Sequence, residues 1–341
     1  MRVAIVYPAL SDAAGVDESD VLLQVEAVEQ ALATHHVETL RLECSLDLQA
    51  LRDSLSTLRP DLVFNLVEAL GGKDDLHPLA PIVYDSLGIP YTGAPTTGLV
   101  WTAHKIRAKR RLREVGLPTA DWWDPERETL EIAGPPAEAF PSQWIVKSLV
   151  EHSSAGLTDA SVVLLESPEE LRRLVAERAG ANQNGAGRRL FAERYIAGRE
   201  MNVGMIADGS DVQLLTPGEY LFSGFEPGRP HIVSYHTKWL AYHEVPRRFA
   251  HAADDAPLVA ELSRIARRCW DLFDLRGYGR VDFRIDEAGR PFILEVNPNP
   301  CLTPDASFTC ALDYAGISAV DAISRIVEAS LPGALSLRAA N

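Results

Sequence analysis

The chain has 341 residues, 46% hydrophobic and 24% charged, a globular balance with material for two or three domains. Its net charge of −15 and pI near 5.1 argue against the basic face of a nucleic-acid binder and favour an enzyme that carries its cations locally. Four scattered cysteines, Cys44, Cys269, Cys301 and Cys310, show no CxxC spacing, so neither zinc nor a disulfide framework is indicated and a reducing cytoplasm is expected.

The run Met1–Tyr7 reads as a strand rather than a secretory segment, and no apolar stretch approaches membrane-spanning length, so the expectation is a soluble, unprocessed chain with no membrane partner. Residues 2–7 read as a buried parallel strand, and 19–33 as an amphipathic helix through Val21, Leu22, Val25, Val28 and Leu32. A strand at 37–42, a helix at 47–58, a strand at 61–67 and a helix at 79–87 follow. This alternation predicts an N-terminal, Rossmann-like, doubly wound parallel α/β domain over residues 1–98.

Past Trp101 the pattern changes. A helix over 103–115 is expected to stop at Gly116-Leu117-Pro118, and its basic run from Lys105 to Arg113 reads as a helix surface. Strands at 144–147 and 161–165 flank a Ser/Gly loop, and Ser167 with Glu170 predicts a capped helix over 168–179. The Gly/Asn-rich stretch 182–189 reads as a mobile connection. Strands resume over 190–206 and from Val212, and a last helix spans 320–330.

Residues 277–304 carry the strongest signal. Val281, Phe283 and Ile285 alternate, Glu287–Arg290 make a short turn, and Phe292, Ile293 and Leu294 begin a second strand, which predicts a hairpin. Asp282 and Glu295 then project from neighbouring strands, with Asn297 on the same face as Glu295, giving three hard oxygen donors around one point. Magnesium completed by phosphates suits that set, and Arg280 on the same face suits a site handling anions, although two acids on one hairpin face also occur as a plain solvated surface. Lys147 at a strand end, followed by Ser153, Ser154 and Gly156, offers charge and close backbone approach to phosphate, while a Ser/Gly loop also serves as a simple turn.

Arg280-Val281-Asp282-Phe283, then Leu294-Glu295-Val296-Asn297-Pro298 with Pro300 and Thr303 beyond, resembles the C-terminal signature of ATP-grasp ligases, in particular the D-alanine–D-alanine ligase group. The resemblance covers residues 60–310 with its parts in order. It implies that the α/β domain is followed by a two-part, α+β ATP-grasp fold with antiparallel sheets, a central subdomain over 99–185 and a C-terminal subdomain with the metal site over 186–335. It implies ATP and one or two Mg²⁺ ions, with Mn²⁺ as a substitute, held by Asp282, Glu295 and Asn297. Lys105, Lys147, Ser153, Ser154, Gly156 and Lys238 are then expected at the phosphates, Glu193 with Tyr195 and Ile196 beside the adenine, and Glu200 on the ribose. Arg280, Lys238 and Ser154 are the expected catalytic residues, Arg280 stabilising an oxyanion and Lys238 reaching the γ-phosphate from between Tyr235 and Trp239.

The family's substrate-gripping loops are replaced here by Asn65–His77 and Tyr7–Asp12, leaving Glu68 or Asp74 to hold an amino group. Ala306 stands where the family has a serine for the second substrate, with Ser307 one place away. The implied activity is ATP-dependent carboxylate–amine ligation through an acyl phosphate, on amino acids or a small metabolite carboxylate. D-alanine–D-alanine ligation is a second reading, and a nucleotide-binding regulatory protein without chemistry a third. The expected partners are small-molecule substrates, not nucleic acid, and the resemblance implies a homodimer.

Overall fold

The computed structural model describes residues 1–10, 15–134, 139–151, 154, 156–181, 189–250 and 252–331. The N-terminal sheet is parallel, in order β2-β1-β3, from β1 (Arg2–Pro8), β2 (Glu38–Cys44) and β3 (Leu62–Asn65). Alternation along β1 sorts its side chains between two cores. Val3 and Ile5 meet Val21, Val25, Val28 and Leu32 of α1 (Val16–Ala33), while Ala4 and Val6 meet Leu51 and Leu55 of α2 (Leu48–Leu58) and Ala80 and Tyr84 of α3 (Leu79–Leu87). Helices on both faces give the doubly wound arrangement. Asp47 starts α2 by accepting the Ala50 amide, a side-chain cap of the kind short polar residues supply.

The helix expected over 103–115 is α5 (Lys105–Glu114), and a further short helix, α4 (Thr96–Thr102), precedes it outside the expected range. His104 separates the two: its backbone is extended, at φ −130° and ψ 106°, and its imidazole accepts the Arg107 amide as the cap of α5.

The second sheet is antiparallel, in order β5-β4-β8-β6-β7, from β4 (Trp122–Asp124), β5 (Thr129–Glu131), β6 (Ser142–Ser148), β7 (Val162–Leu165) and β8 (Leu190–Arg194). Leu171 and Val175 of α6 (Pro168–Ala181) cover it at Trp144 and Val146. Of the connection expected to be mobile, 182–188 lie outside the described residues.

The third sheet is antiparallel too. It runs β12-β11-β9-β13-β14, with β10 also on β9, from β9 (Arg199–Asp208), β10 (Asp211–Leu214), β11 (Gly218–Tyr220), β12 (Arg247–Phe249), β13 (Tyr278–Ile285) and β14 (Pro291–Asn297). One face packs on α7 (Ala252–Leu272), where Leu262, Ile265 and Cys269 meet Met201, Val203, Val281 and Phe283. The sequence reading contained no helix here, and α7 corrects it. Residues Phe308 and Leu312 of α8 (Ser307–Tyr314) and Ile323 and Ile326 of α9 (Ala319–Glu328) share the core of β1 and α1, so these two helices pack against the N-terminal domain. At the turn into β9, Gly198 has φ +127°, and a Cβ there would lie 2.1 Å from the Ile285 carbonyl oxygen, so glycine lets β9 meet β13.

Candidate active site

Side-chain alternation in the third sheet sends Val281, Phe283 and Ile285 into the α7 core, and therefore Arg280, Asp282 and Arg284 to the other face. Across the hairpin, Asp282 pairs with Glu295 and Arg280 with Asn297. The ladder then slips, because Phe283 pairs with Ile293 and leaves Leu294 as an extra residue. Without that bulge, Ile293 would share the face of Glu295. With it, Ile293 is buried in the α7 core, Leu294 lines the cleft, and Glu295 keeps its place opposite Asp282.

A cleft lies between this face and the second sheet. Of the expected residues, Lys105, Lys147, Ser154, Glu193, Tyr195, Ile196, Glu200, Asp282 and Glu295 line it. Ser153 lies outside the described residues. Ser154 has φ +59° and donates to the Val233 carbonyl, tying this turn to the far wall, and Gly156 has φ +69° and is exposed beside it.

The basic run on α5 is not simply a helix surface, and this corrects the sequence expectation. Lys109, one turn beyond Lys105, is buried with its ammonium 2.5 Å from Glu193 and 2.7 Å from the Thr119 hydroxyl. Lys147 donates to the other Glu193 oxygen at 2.8 Å. Burial alone would raise the Glu193 carboxyl, but the two lysines outweigh it and hold it below the ordinary carboxylate value. Burial drives Lys109 down to about 8. The carboxylate expected beside adenine is thus the counter-ion that fixes Lys147 in the cleft. Lys105 donates to the Glu151 carbonyl at 2.6 Å, and burial, reinforced by Lys147, lowers its pKa against the pull of Glu295.

Glu200 is paired with Arg284 at 3.1 Å. Burial nevertheless raises its carboxyl above the usual range. Arg284 is buried and also donates to the carbonyls of Ile196, Gly198 and His231, so it holds the β8–β9 turn against the wall of the cleft. Neither Lys109 nor Arg284 was among the expected site residues. Arg284 had a signal, two places after Asp282 on the same face; Lys109 had only its place one turn after Lys105.

Arg280, Lys238 and Asn297 stand beside the cleft rather than in its lining. Arg280 grips both oxygens of Asp282, at 2.7 and 2.8 Å, and that pairing raises its pKa although burial opposes it. Lys238 sits in a π-helical turn, His236–Leu240; its side chain keeps solvent access, yet crowding by surrounding protein, reinforced by Arg280, lowers its pKa. The Asn297 side-chain oxygen Oδ1 accepts the Asn299 backbone amide at 2.9 Å. Of the substrate candidates, Glu68 accepts from Gln24 at 3.2 Å, Asp74 opens a short 3-10 turn, and Ser307 meets Tyr220 at 2.5 Å, outside the cleft lining.

The family model described as D-ala D-ala ligase C-terminus matches residues 112–328. The chain belongs to the D-alanine–D-alanine ligase family. A D-alanine–D-alanine ligase of Methylococcus capsulatus is 30% identical over 309 residues, 89% of each chain. That of Parvibaculum lavamentivorans is 28% identical over 318 residues, 90% of this chain and 91% of its own. The ATP-complexed D-alanine–D-alanine ligase of Bacillus anthracis superposes with a TM-score of 0.72 at 19% identity, covering 97% of both chains. The parallel N-terminal domain and two antiparallel sheets are this family's ATP-grasp fold, and its members are ATP-dependent carboxylate–amine ligases. Among the described residues, no helix is long and apolar enough to cross a membrane.

Proposed function

We propose that the chain activates a small carboxylate as an acyl phosphate at the hairpin β13–β14 and joins it to an amine, releasing ADP and phosphate. One observation carries this reading: Asp282 lies opposite Glu295, and Arg280 opposite Asn297, beside a cleft that already holds Lys105 and Lys147. Phosphoryl transfer asks mainly for positioning and neutralisation of charge, and this face supplies both.

Lys105, Lys147 and Lys238 neutralise the phosphates, with Ser154 and Gly156 letting backbone approach, and Glu200 takes the ribose beside Tyr195 and Ile196. Arg280 leaves Asp282 to stabilise the oxyanion formed when the amine attacks. Among the described residues, no three His, Cys, Asp or Glu side chains gather as a metal cage. The donor set is two carboxylates and an amide oxygen, which fits a hard ion that keeps several ligands from phosphate and water. Mg²⁺ held by Asp282, Glu295 and Asn297 would supply charge neutralisation at the β- and γ-phosphates.

Segments 1–98, 99–185 and 186–335 are the working domains, and a cytoplasmic homodimer the working state. Relatives named D-alanine–D-alanine ligase favour D-alanine as a second reading of the substrate. The test is phosphate release from ATP with Mg²⁺ against D- and L-amino acids and dipeptides, singly and in pairs, with mass spectrometry of products. Turnover with D-alanine alone establishes the second reading, and turnover with another pair names the substrates. ATP bound but never consumed would replace both with a non-catalytic role.

A further inference from the structure

Between β11 and β12 the chain leaves the third sheet in a loop that carries Lys238, and one arginine joins its two ends. Arg229 donates through Nε to the Asp159 carboxylate at 2.9 Å and through Nη1 to the Glu244 carboxylate at 3.3 Å. Its guanidinium carbon lies 3.8 Å from the centroid of the Phe225 ring. Glu244 closes the far end of the loop, while Asp159 belongs to the connection between β6 and β7 that also carries Ser154. Two bonds run beside this tie. The Ser154 hydroxyl donates to the Val233 carbonyl at 2.8 Å, and the Tyr235 amide to the Leu157 carbonyl at 3.2 Å. Within the loop Ser234 and Thr237 are buried with their hydroxyls 3.2 Å apart, and the Lys238 amide donates to the Ser234 carbonyl at 2.9 Å. The turn bearing Lys238 is thus built on the segment that Arg229 anchors.

We propose that Arg229 is a positioning residue for Lys238: it joins the two ends of residues 229–244, fixes them to Asp159, and so sets the Lys238 ammonium over the phosphate end of the cleft. This rests on the ligase reading, in which Lys238 meets the γ-phosphate. Among the described residues no carboxylate forms an ion pair with Lys238, whose ammonium lies 5.3 Å from the Trp239 ring centroid, so its aim depends on the backbone beneath it. Arg229 is 27% exposed, Asp159 44% and Glu244 36%, and pairs as open as these add little to global stability. What they supply is local order. Fixing a loop costs conformational entropy, and a group bonded to both ends and to a neighbouring turn meets that cost before the nucleotide arrives. The effect of Arg229 therefore falls on recognition of the triphosphate, not on melting.

The test is calorimetric titration of the intact chain with ADP and with a non-hydrolysable ATP analogue, each with Mg²⁺. The unaltered protein should prefer the triphosphate about tenfold, the strength of one charge-assisted contact, and Lys238→Ala should abolish that preference. Arg229→Gln should abolish it too, with ADP affinity and melting temperature kept, and Arg229→Lys should restore most of it. Adding Arg229→Gln to Lys238→Ala should change nothing further, because the two residues act as one. Should Arg229→Gln fail to fold, Asp159→Asn breaks the same tie from the other side and carries the same expectation. A preference kept in Arg229→Gln but lost in Lys238→Ala, equal losses of ADP and triphosphate affinity, or additive losses in the double variant would each overturn the proposal. A preference that survives Lys238→Ala would remove Lys238 from the γ-phosphate, and this role of Arg229 with it.

Discussion

The ammonium of Lys109 stands 2.5 Å from a Glu193 oxygen, and neither side chain reaches solvent. Lys109 also donates to Thr119, whose hydroxyl donates to the Ile293 carbonyl, so one cation ties α5 to β8 and, through Thr119, to the bulged strand β14. Removing one partner of a buried pair leaves an uncompensated charge, so Lys109→Met is expected to cost about 3–5 kcal/mol in urea unfolding. A loss below about 1 kcal/mol would mean the pair contributes no more than a surface salt bridge.

Glu295 faces Asp282 across the hairpin and lies within electrostatic reach of both Lys105 and Lys238. Glu295→Gln keeps its shape and removes its charge. ATP turnover should fall roughly a hundredfold or more with circular dichroism and melting temperature preserved, as expected when a metal ligand is lost. Near-normal turnover would remove Glu295 from the proposed metal site.

Arg284 and Glu200 should separate stability from binding. Arg284→Leu strands three carbonyls and a carboxylate at the cleft wall, and a loss of about 3 kcal/mol or more is expected. Glu200→Gln keeps a hydrogen-bond acceptor for Arg284, and its main effect should be about tenfold weaker ATP binding, near the value of one charge-assisted hydrogen bond. Equal stability losses with unchanged ATP affinity would make Glu200 structural only.

His104 offers a pH test of the start of α5. Burial, aided by the nearby Arg107 and Arg189, lowers its pKa, and its Nδ1 must be unprotonated to accept the Arg107 amide. The unfolded chain takes up a proton near the ordinary value of 6.5 while the folded chain resists it. The stabilisation is therefore present above about pH 6.5 and is lost as pH falls through the lower, folded pKa. Unfolding titrations from pH 7.5 to 5 should show this loss, and His104→Asn, which caps without titrating, should flatten it. An unaltered pH slope in the variant would assign the effect to other groups.

The hairpin was legible because its information is local. Alternation of Val281, Phe283 and Ile285 with Arg280 and Asp282 needs only the two-residue period of a strand, and the β1-to-α3 alternation of the N-terminal domain needs only periodicity and caps. The long helix α7 escaped because its apolar stripe is interrupted by charges and by Pro257 inside it, and only the sheet it covers reveals its inner face. The bulge at Leu294 was equally hidden: strict alternation gives Ile293 and Glu295 one face, and the core that claims Ile293 forces the slip.

By itself, then, the sequence determined the strand–helix alternation of the N-terminal domain, the ATP-grasp resemblance and the face carrying Arg280, Asp282, Glu295 and Asn297. Tertiary structure alone decided which charges are neutralised. Lys109 meets Glu193 across 84 positions and Arg247 meets Ser307 across 60, separations at which no periodicity in the chain specifies a partner. Local propensity sets which way a side chain points; whether a carboxylate waits there is fixed when the sheets pack.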